Sequence, residues 1–207
     1  SLFFFFFKQK TAYEIVDCDW SSDVCSSDLR QMHRNFRKPL IIMTPKSLLR
    51  HKRAVSTLKE LGPDSSFHRL LWDDAELLPD QKIKLVDDKK IRRVVMCTGK
   101  VYYDLYEKRE EHGIDDVYIL RVEQLYPFPA RALIKELGRF ENAEFVWCQE
   151  EPKNMGAWFF VEPNIEWVLS HVGARKRPAN YAGRPAAAAP ASGDRENGVY
   201  GKRGERG

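Results

Sequence analysis

The stretch RRVVMCTGKVYYDLYEKREEHGIDDVYILRVEQLYPFP, residues 92–129, constrains this chain more than any other part. It holds an apolar run at 94–97, a turn at Thr98-Gly99 and an amphipathic segment over 100–111. A second apolar run at 117–122 stops at a Pro-x-Pro. Apolar run, helical segment, apolar run is the pattern of a strand–helix–strand unit with a parallel sheet. Such strands are buried on both faces, so neighbours must cover them. PLIIM at 39–43 reads as a strand before the unit, and EFVWC at 144–148 as one after it. The expectation is an α/β domain: helices on both sides of a mostly parallel, twisted sheet of about five strands.

The flanks fill in this plan. Residues 30–38 read as the end of a helix, with Arg30, Arg34, Arg37 and Lys38 at its C-terminus, where the helix dipole favours cations. Pro39 ends it. After the strand at 39–43, Thr44 is placed to cap a short helical turn with Pro45 at its first position. Residues 54–61 read as another short helix, closed by Gly62-Pro63. From 64 to 90 the pattern is weak, and the segment is expected to leave the main sheet, with marginal strands around 67–72 at most. Pro129 opens a helix over 130–140 that turns Leu133, Ile134 and Leu137 toward the sheet. An aromatic helix is expected over 158–171. YAGRP at 181–185 suits an edge strand, since Pro185 cannot sit in a central one.

Both ends of the chain break this pattern. Residues 1–29 begin with five consecutive phenylalanines and keep no period, exposing apolar surface that nothing local covers. They resemble translated sequencing-adapter read-through and are expected to be foreign or disordered. The main domain is expected over 30–186, and the Ala/Pro-rich, then polar stretch 187–207 to be disordered and aberrant. The net charge of +4 is uneven: the first 29 residues carry two lysines against five acids, and residues 175–207 eight Lys/Arg against three acids. The middle is close to balanced, which argues against nucleic-acid binding. The longest apolar run, residues 2–7, falls far short of the roughly 20 residues of a membrane span and lacks the features of a signal peptide. Of four cysteines, Cys97 and Cys148 lie in predicted strands and read as buried apolar groups. No spacing suggests zinc, and a reducing interior is the default.

In open α/β sheets, ligands gather at the carboxyl ends of strands. The ends here are Thr44-Pro45-Lys46-Ser47, Thr98-Gly99-Lys100, Glu123-Gln124-Leu125 and Gln149-Glu150-Glu151. Thr98-Gly99-Lys100 could hold an anion at a helix start, but with one glycine an ordinary turn is the favoured reading. Glu150 and Glu151 could be an acid/base pair only if the chain turned there, because neighbours on a strand point to opposite faces. Capping or subunit contact suits them better. The five histidines, His33, His51, His68, His112 and His171, are scattered and read as surface groups. No catalytic, cofactor-binding or metal-binding residue can be named. Lys46, Lys100, Gln149, Glu150 and Glu151 are kept as interface or structural positions.

Five motifs go further: RKPLIIMTPKSLLRHKRAVS, RVVMCTGKVYYDLYEKR, RVEQLYPFP, FVWCQEEPKNMGAW and YAGRPAAAAPASG. In order over about residues 30–193, they closely resemble the C-terminal end of the 2-oxoglutarate dehydrogenase family, thiamine-diphosphate-dependent and transketolase-like. The resemblance implies a transketolase C-terminal-type domain. It implies a full enzyme that decarboxylates 2-oxoglutarate and passes succinyl to the lipoyl arm of a dihydrolipoyl succinyltransferase, alongside dihydrolipoyl dehydrogenase. It further implies a homodimer whose thiamine diphosphate and magnesium sit in preceding domains, so that this chain alone binds neither and is inactive. Some relatives bind acetyl-CoA on this domain. Arg30, Gln124 and Arg131 match that effector site, while Asp64-Ser65-Ser66 offers no basic counterpart. GDRENGVYGKRGERG stands where relatives carry a closing helix. The implied compartment is the bacterial cytoplasm, with the mitochondrial matrix as alternative, and no membrane contact. Other readings are the same domain of another thiamine-dependent relative, or a stand-alone regulatory or CoA-binding module.

Overall fold

The computed structural model describes residues 33, 35, 45–58, 60, 66–77, 82–174 and 179–189. The chain divides into two units, residues 1–67 and 68–207.

In the first unit a 3-10 helix spans Lys46–Arg50, close to where a helical turn was expected. Pro45 stands one position earlier than predicted, in extended conformation ahead of the helix. The helix expected over 54–61 is absent from the described part of that range. Thr57 and Glu60 form a reciprocal cap instead. The Thr57 amide donates to the Glu60 carboxylate at 2.6 Å and the Thr57 hydroxyl to the same oxygen at 2.9 Å, while the Glu60 amide reaches Thr57 Oγ1 at 3.4 Å. A capping box holds its first residue out of helical geometry, so nothing helical can run through Thr57. The strand expected at 39–43 lies outside the described residues, as do Cys18, Cys25 and Arg30.

The second unit is a five-stranded sheet: β1 (Leu70–Leu71), β2 (Arg93–Cys97), β3 (Val117–Val122), β4 (Glu144–Pro152) and β5 (Asn180–Arg184). The order is β1-β3-β2-β4-β5, with every pair parallel except β1 on β3. The helices are α1 (Asp74–Leu77), α2 (Val101–Glu111), α3 (Ala130–Leu137) and α4 (Trp158–His171). The strand–helix–strand unit read from the sequence is β2-α2-β3. The α4 boundaries coincide with the expected 158–171, and α3 stops three residues short of Phe140.

Strand alternation separates two cores. Val94 and Met96, Tyr118, Leu120 and Val122, and Phe145 and Trp147 share one face. They pack with Leu133 and Leu137 of α3 and with Trp158, Val161, Ile165, Val168 and Leu169 of α4. The alternate residues Cys97, Ile119, Val146 and Cys148 are also buried, beneath α2 and its Val101, Tyr102, Tyr103 and Tyr106. Arg121 confirms the side: its guanidinium lies 4.3 Å from the Tyr102 ring centre. Helices therefore cover both faces and the domain has three layers.

Two expectations change here. The segment read as an excursion contributes β1, whose Leu70 and Leu71 pair with Val122 and Arg121. A two-residue strand has too few positions to show a period. And β4 runs on through Gln149-Glu150-Glu151-Pro152, four residues past its predicted end, with an irregular register against β5.

Candidate functional site: the carboxyl edge of the sheet

Chain order fixes where a site belongs. From β2 the chain crosses to β3 on one side, and the next connection places β4 on β2's other side. The topological switch point therefore lies between the carboxyl ends of β2 and β4, the usual ligand crevice of such sheets. Thr98-Gly99-Lys100 leaves β2 there, with Gly99 at φ +68°, a conformation that a β-carbon disfavours. Facing it, Gln149-Glu150-Glu151 ends β4.

An internal ion pair bridges the crevice. Lys100 Nζ lies 2.6 Å from Glu150 Oε1 and 3.2 Å from Asp104 Oδ2, one cation between two carboxylates. Burial opposes the Lys100 charge, but its bonds to Glu150 and Asp104 outweigh burial and hold the ammonium above its ordinary pKa. A bound anion would have to displace these carboxylates, so Thr98-Gly99-Lys100 acts as a strand-to-helix turn. Glu150 and Glu151 diverge as strand neighbours must: Glu150 joins Lys100, whereas Glu151 is exposed.

Gln149 is a clamp. Its carbonyl oxygen accepts from Trp147 Nε1 at 3.1 Å and from the Trp158 amide at 3.0 Å, and its amide donates to Met155 O at 2.7 Å and Pro152 O at 3.2 Å. One buried side chain thereby ties the end of β4 to the start of α4. Gly156 passes so close that a β-carbon there would lie 2.9 Å from Gln149 Nε2, in a backbone with φ +68°. Only glycine fits.

Beneath the edge, the thiols of Cys97 and Cys148 are both free and buried. Burial raises both, Cys148 to about 11, with the Glu150 charge adding to the effect. Thiols so disposed are not nucleophiles. Among the described residues no group of three His, Cys, Asp or Glu side chains converges to hold a metal ion.

Of the residues matched to an effector site, Gln124 donates its amide to Pro127 O at 2.6 Å, across the turn that holds the cis Tyr126-Pro127 bond. Arg131 is exposed on α3. Lys46 opens the 3-10 helix of the first unit. Four of the histidines are exposed and His51 is half-buried.

The sequence reading missed the most heavily bonded cluster. Both Nη atoms of Arg109 donate to both carboxylate oxygens of Asp73, the Nη2 bond at 2.7 Å. Asp73 is 0% and Arg109 3% exposed. Asp73 also accepts from the backbone amides of Ile119 at 2.8 Å and Ala75 at 2.9 Å. Its carboxylate thus continues along β3 the pairing that β1 begins. Burial works against the Arg109 charge, but Asp73 prevails and raises its pKa. Close by, the Tyr118 hydroxyl lies 2.9 Å from Glu76 and 3.1 Å from Glu136, and Arg139 binds Glu76, Asp88 and Glu136. The signal was present: Tyr102, Tyr106 and Arg109 follow the i, i+4, i+7 stripe of α2. A cation in that stripe requires a buried acid.

The fold and its edge define a class: a doubly wound, three-layer α/β domain of the transketolase C-terminal type, whose switch point is closed by its own ion pair. A family model described as 2-oxoglutarate dehydrogenase C-terminal matches residues 55–200. The chain is 73% identical over 164 residues to 2-oxoglutarate dehydrogenase E1 components of Brucella anthropi, Brucella ovis and Brucella abortus. That match covers 79% of this chain and 16% of each relative. This chain belongs to the 2-oxoglutarate dehydrogenase C-terminal family, and it spans about one sixth of the length of those relatives.

Proposed function

We infer that this chain is the bracing C-terminal domain of a 2-oxoglutarate dehydrogenase E1 component and has no decarboxylase activity alone. The observation that carries the reading is the closed edge of the sheet. Where a doubly wound domain would receive a ligand, Lys100, Asp104 and Glu150 satisfy one another, and the flanking Gln149 is fully engaged in holding α4. The identity to E1 components supplies the context.

In the complete enzyme, thiamine diphosphate and magnesium supply the decarboxylation chemistry from other domains. The whole protein works as a homodimer that passes succinyl to a dihydrolipoyl succinyltransferase, with dihydrolipoyl dehydrogenase completing the cycle. The setting proposed is the bacterial cytoplasm; the relatives matched are proteins of Brucella. Arg131 is exposed and makes no ion pair among the described residues, which leaves it able to meet an anionic effector of the acetyl-CoA kind. Arg131→Ala in the full enzyme is expected to weaken acetyl-CoA binding in calorimetry, and unchanged heat removes Arg131 from that role.

A chimera tests the main reading. A full-length E1 component in which the 164 matched residues of this chain replace their counterparts should turn over 2-oxoglutarate. A folded chimera without turnover overturns the assignment.

A further inference from the structure

The carboxyl ends of β2 and β4 carry two thiols side by side. Met96 pairs with Trp147 in the parallel β2–β4 register, so the next position sets Cys97 against Cys148. Both lie on the α2 face, both are buried and neither is in a disulfide. Neighbouring strands run about 4.8 Å apart, and a disulfide spans Cα atoms about 4.4–6.8 Å apart. Closing a bond between the two sulfurs therefore needs little backbone movement. Each thiol also feels the charges around it. Burial, Cys148 and Glu123 keep the proton on Cys97, whereas Arg121, its partner in register on β3, favours the thiolate. Cys97 is thus flanked by a guanidinium on one strand and by a second thiol on the other. A thiol with a cation to stabilise its anion and a neighbour to resolve it is the arrangement of reversible cysteine oxidation.

The cover on the edge side is slight. Lys100 follows Cys97 by three residues and Glu150 follows Cys148 by two, so their ion pair bridges the same two strands just outside the thiols. Both of its side chains are half-buried, and a pair so open to water is held weakly. While the edge is closed neither thiol is a nucleophile. Once water enters, the burial that holds the proton is lifted and Arg121 tips Cys97 toward the thiolate. We propose that Cys97 and Cys148 are a redox site, oxidised by a hydroperoxide to a disulfide that staples β2 to β4 beneath the Lys100–Glu150 pair. The Cys97 thiolate attacks the terminal peroxide oxygen and the O–O bond breaks. The other oxygen leaves with a proton, as an alcohol or, from hydrogen peroxide, as water. The Cys148 sulfur then attacks the sulfenic acid on Cys97. The S–S bond forms, and the departing hydroxide takes the Cys148 proton as water. Two thiols give up two electrons and two protons, and the peroxide takes them.

Peroxide treatment of the 207-residue chain tests this, with Cys18→Ser and Cys25→Ser so that Cys97 and Cys148 are its remaining thiols. Hydrogen peroxide at neutral pH, without denaturant, should consume both thiols and join the Cys97 and Cys148 peptides in a peptide map. Dithiothreitol should separate them again. Cys148→Ser leaves Cys97 without a resolving thiol, so the Cys97 peptide should gain oxygen instead of a link. Lys100→Ala unlatches the edge and should speed linkage by about two- to fivefold. Thiols that stay reduced in the folded chain, yet oxidise in urea, overturn the proposal and leave the pair as core filling. Oxygen added to either thiol without linkage, or a link between two chains, overturns it as well. An unchanged rate in Lys100→Ala overturns the ion pair as the latch, and with it the route by which peroxide enters.

Discussion

Two acid–base pairs sit at different edges of the same sheet, at opposite ends of α2, and play different parts. Asp73 and Arg109 are sealed, bidentate, and bonded further to the backbone of β3 and α1. Lys100 and Glu150 meet across the switch point with side chains 29% and 42% exposed. The chemistry is the same and the surroundings are not. In the first pair neither partner can be replaced by water, because both side chains are sealed from solvent. In the second, water takes over whatever the partner gives up. The edge that would carry chemistry in a self-sufficient enzyme is thus held by an inexpensive contact, and the edge with no ligand role by one that cannot be broken cheaply.

Removing one partner from each pair sharpens this contrast most. Asp73→Ala strands the Arg109 guanidinium and frees the Ile119 amide, and should destabilise the domain by about 3–5 kcal/mol in urea unfolding. A loss below about 1 kcal/mol would show that water reaches Arg109 and that the two edges do not differ. Gln149→Leu comes next. It leaves the Trp147 indole N–H and the Trp158 amide buried without acceptors, at about 1–3 kcal/mol for each donor. The loss should appear as weakened docking of α4, read from amide exchange in Trp158–His171.

The buried thiols give a pH dependence. The folded protein keeps the Cys148 proton up to about 11, whereas an exposed thiol releases it near 9.0. In that window the native state holds more protons than the unfolded chain, so stability falls as pH rises through it. The full loss is on the order of 2–3 kcal/mol. Cys148→Ala should flatten that part of the decline, and an unchanged slope would show that the thiol is not protected. Smallest of all is Lys100→Ala, expected to cost less than about 1 kcal/mol and to lose even that in high salt.

What could be read from the sequence follows the same division. β2-α2-β3 and α4 were legible because apolar periodicity over many residues records burial directly. A marginal strand was expected around 67–72, but its place in the main sheet was not legible, since Leu70 and Leu71 join it only by meeting Val122 and Arg121 some 50 residues on. The helix expected over 54–61 misled because its composition is helical while its local bonding, Thr57 with Glu60, is not. The polar end of β4 fell outside the predicted strand because Gln149 hides its polarity in bonds to Trp147 and Met155 that no local pattern announces. Lys100, Gln149 and Glu150 were singled out from the sequence, and the structure gives them bonds at the carboxyl edge. The Asp73–Arg109 pair was not, although Arg109 betrayed it by standing in an apolar stripe.

The central claim is that this domain braces a catalyst whose reactive groups lie elsewhere in the polypeptide. The most direct test is release of carbon dioxide from labelled 2-oxoglutarate by the purified 207-residue chain with thiamine diphosphate and magnesium, beside the chimeric full-length E1 component under the same conditions. The account predicts background release from the chain and turnover from the chimera. Turnover by the chain itself would contradict it.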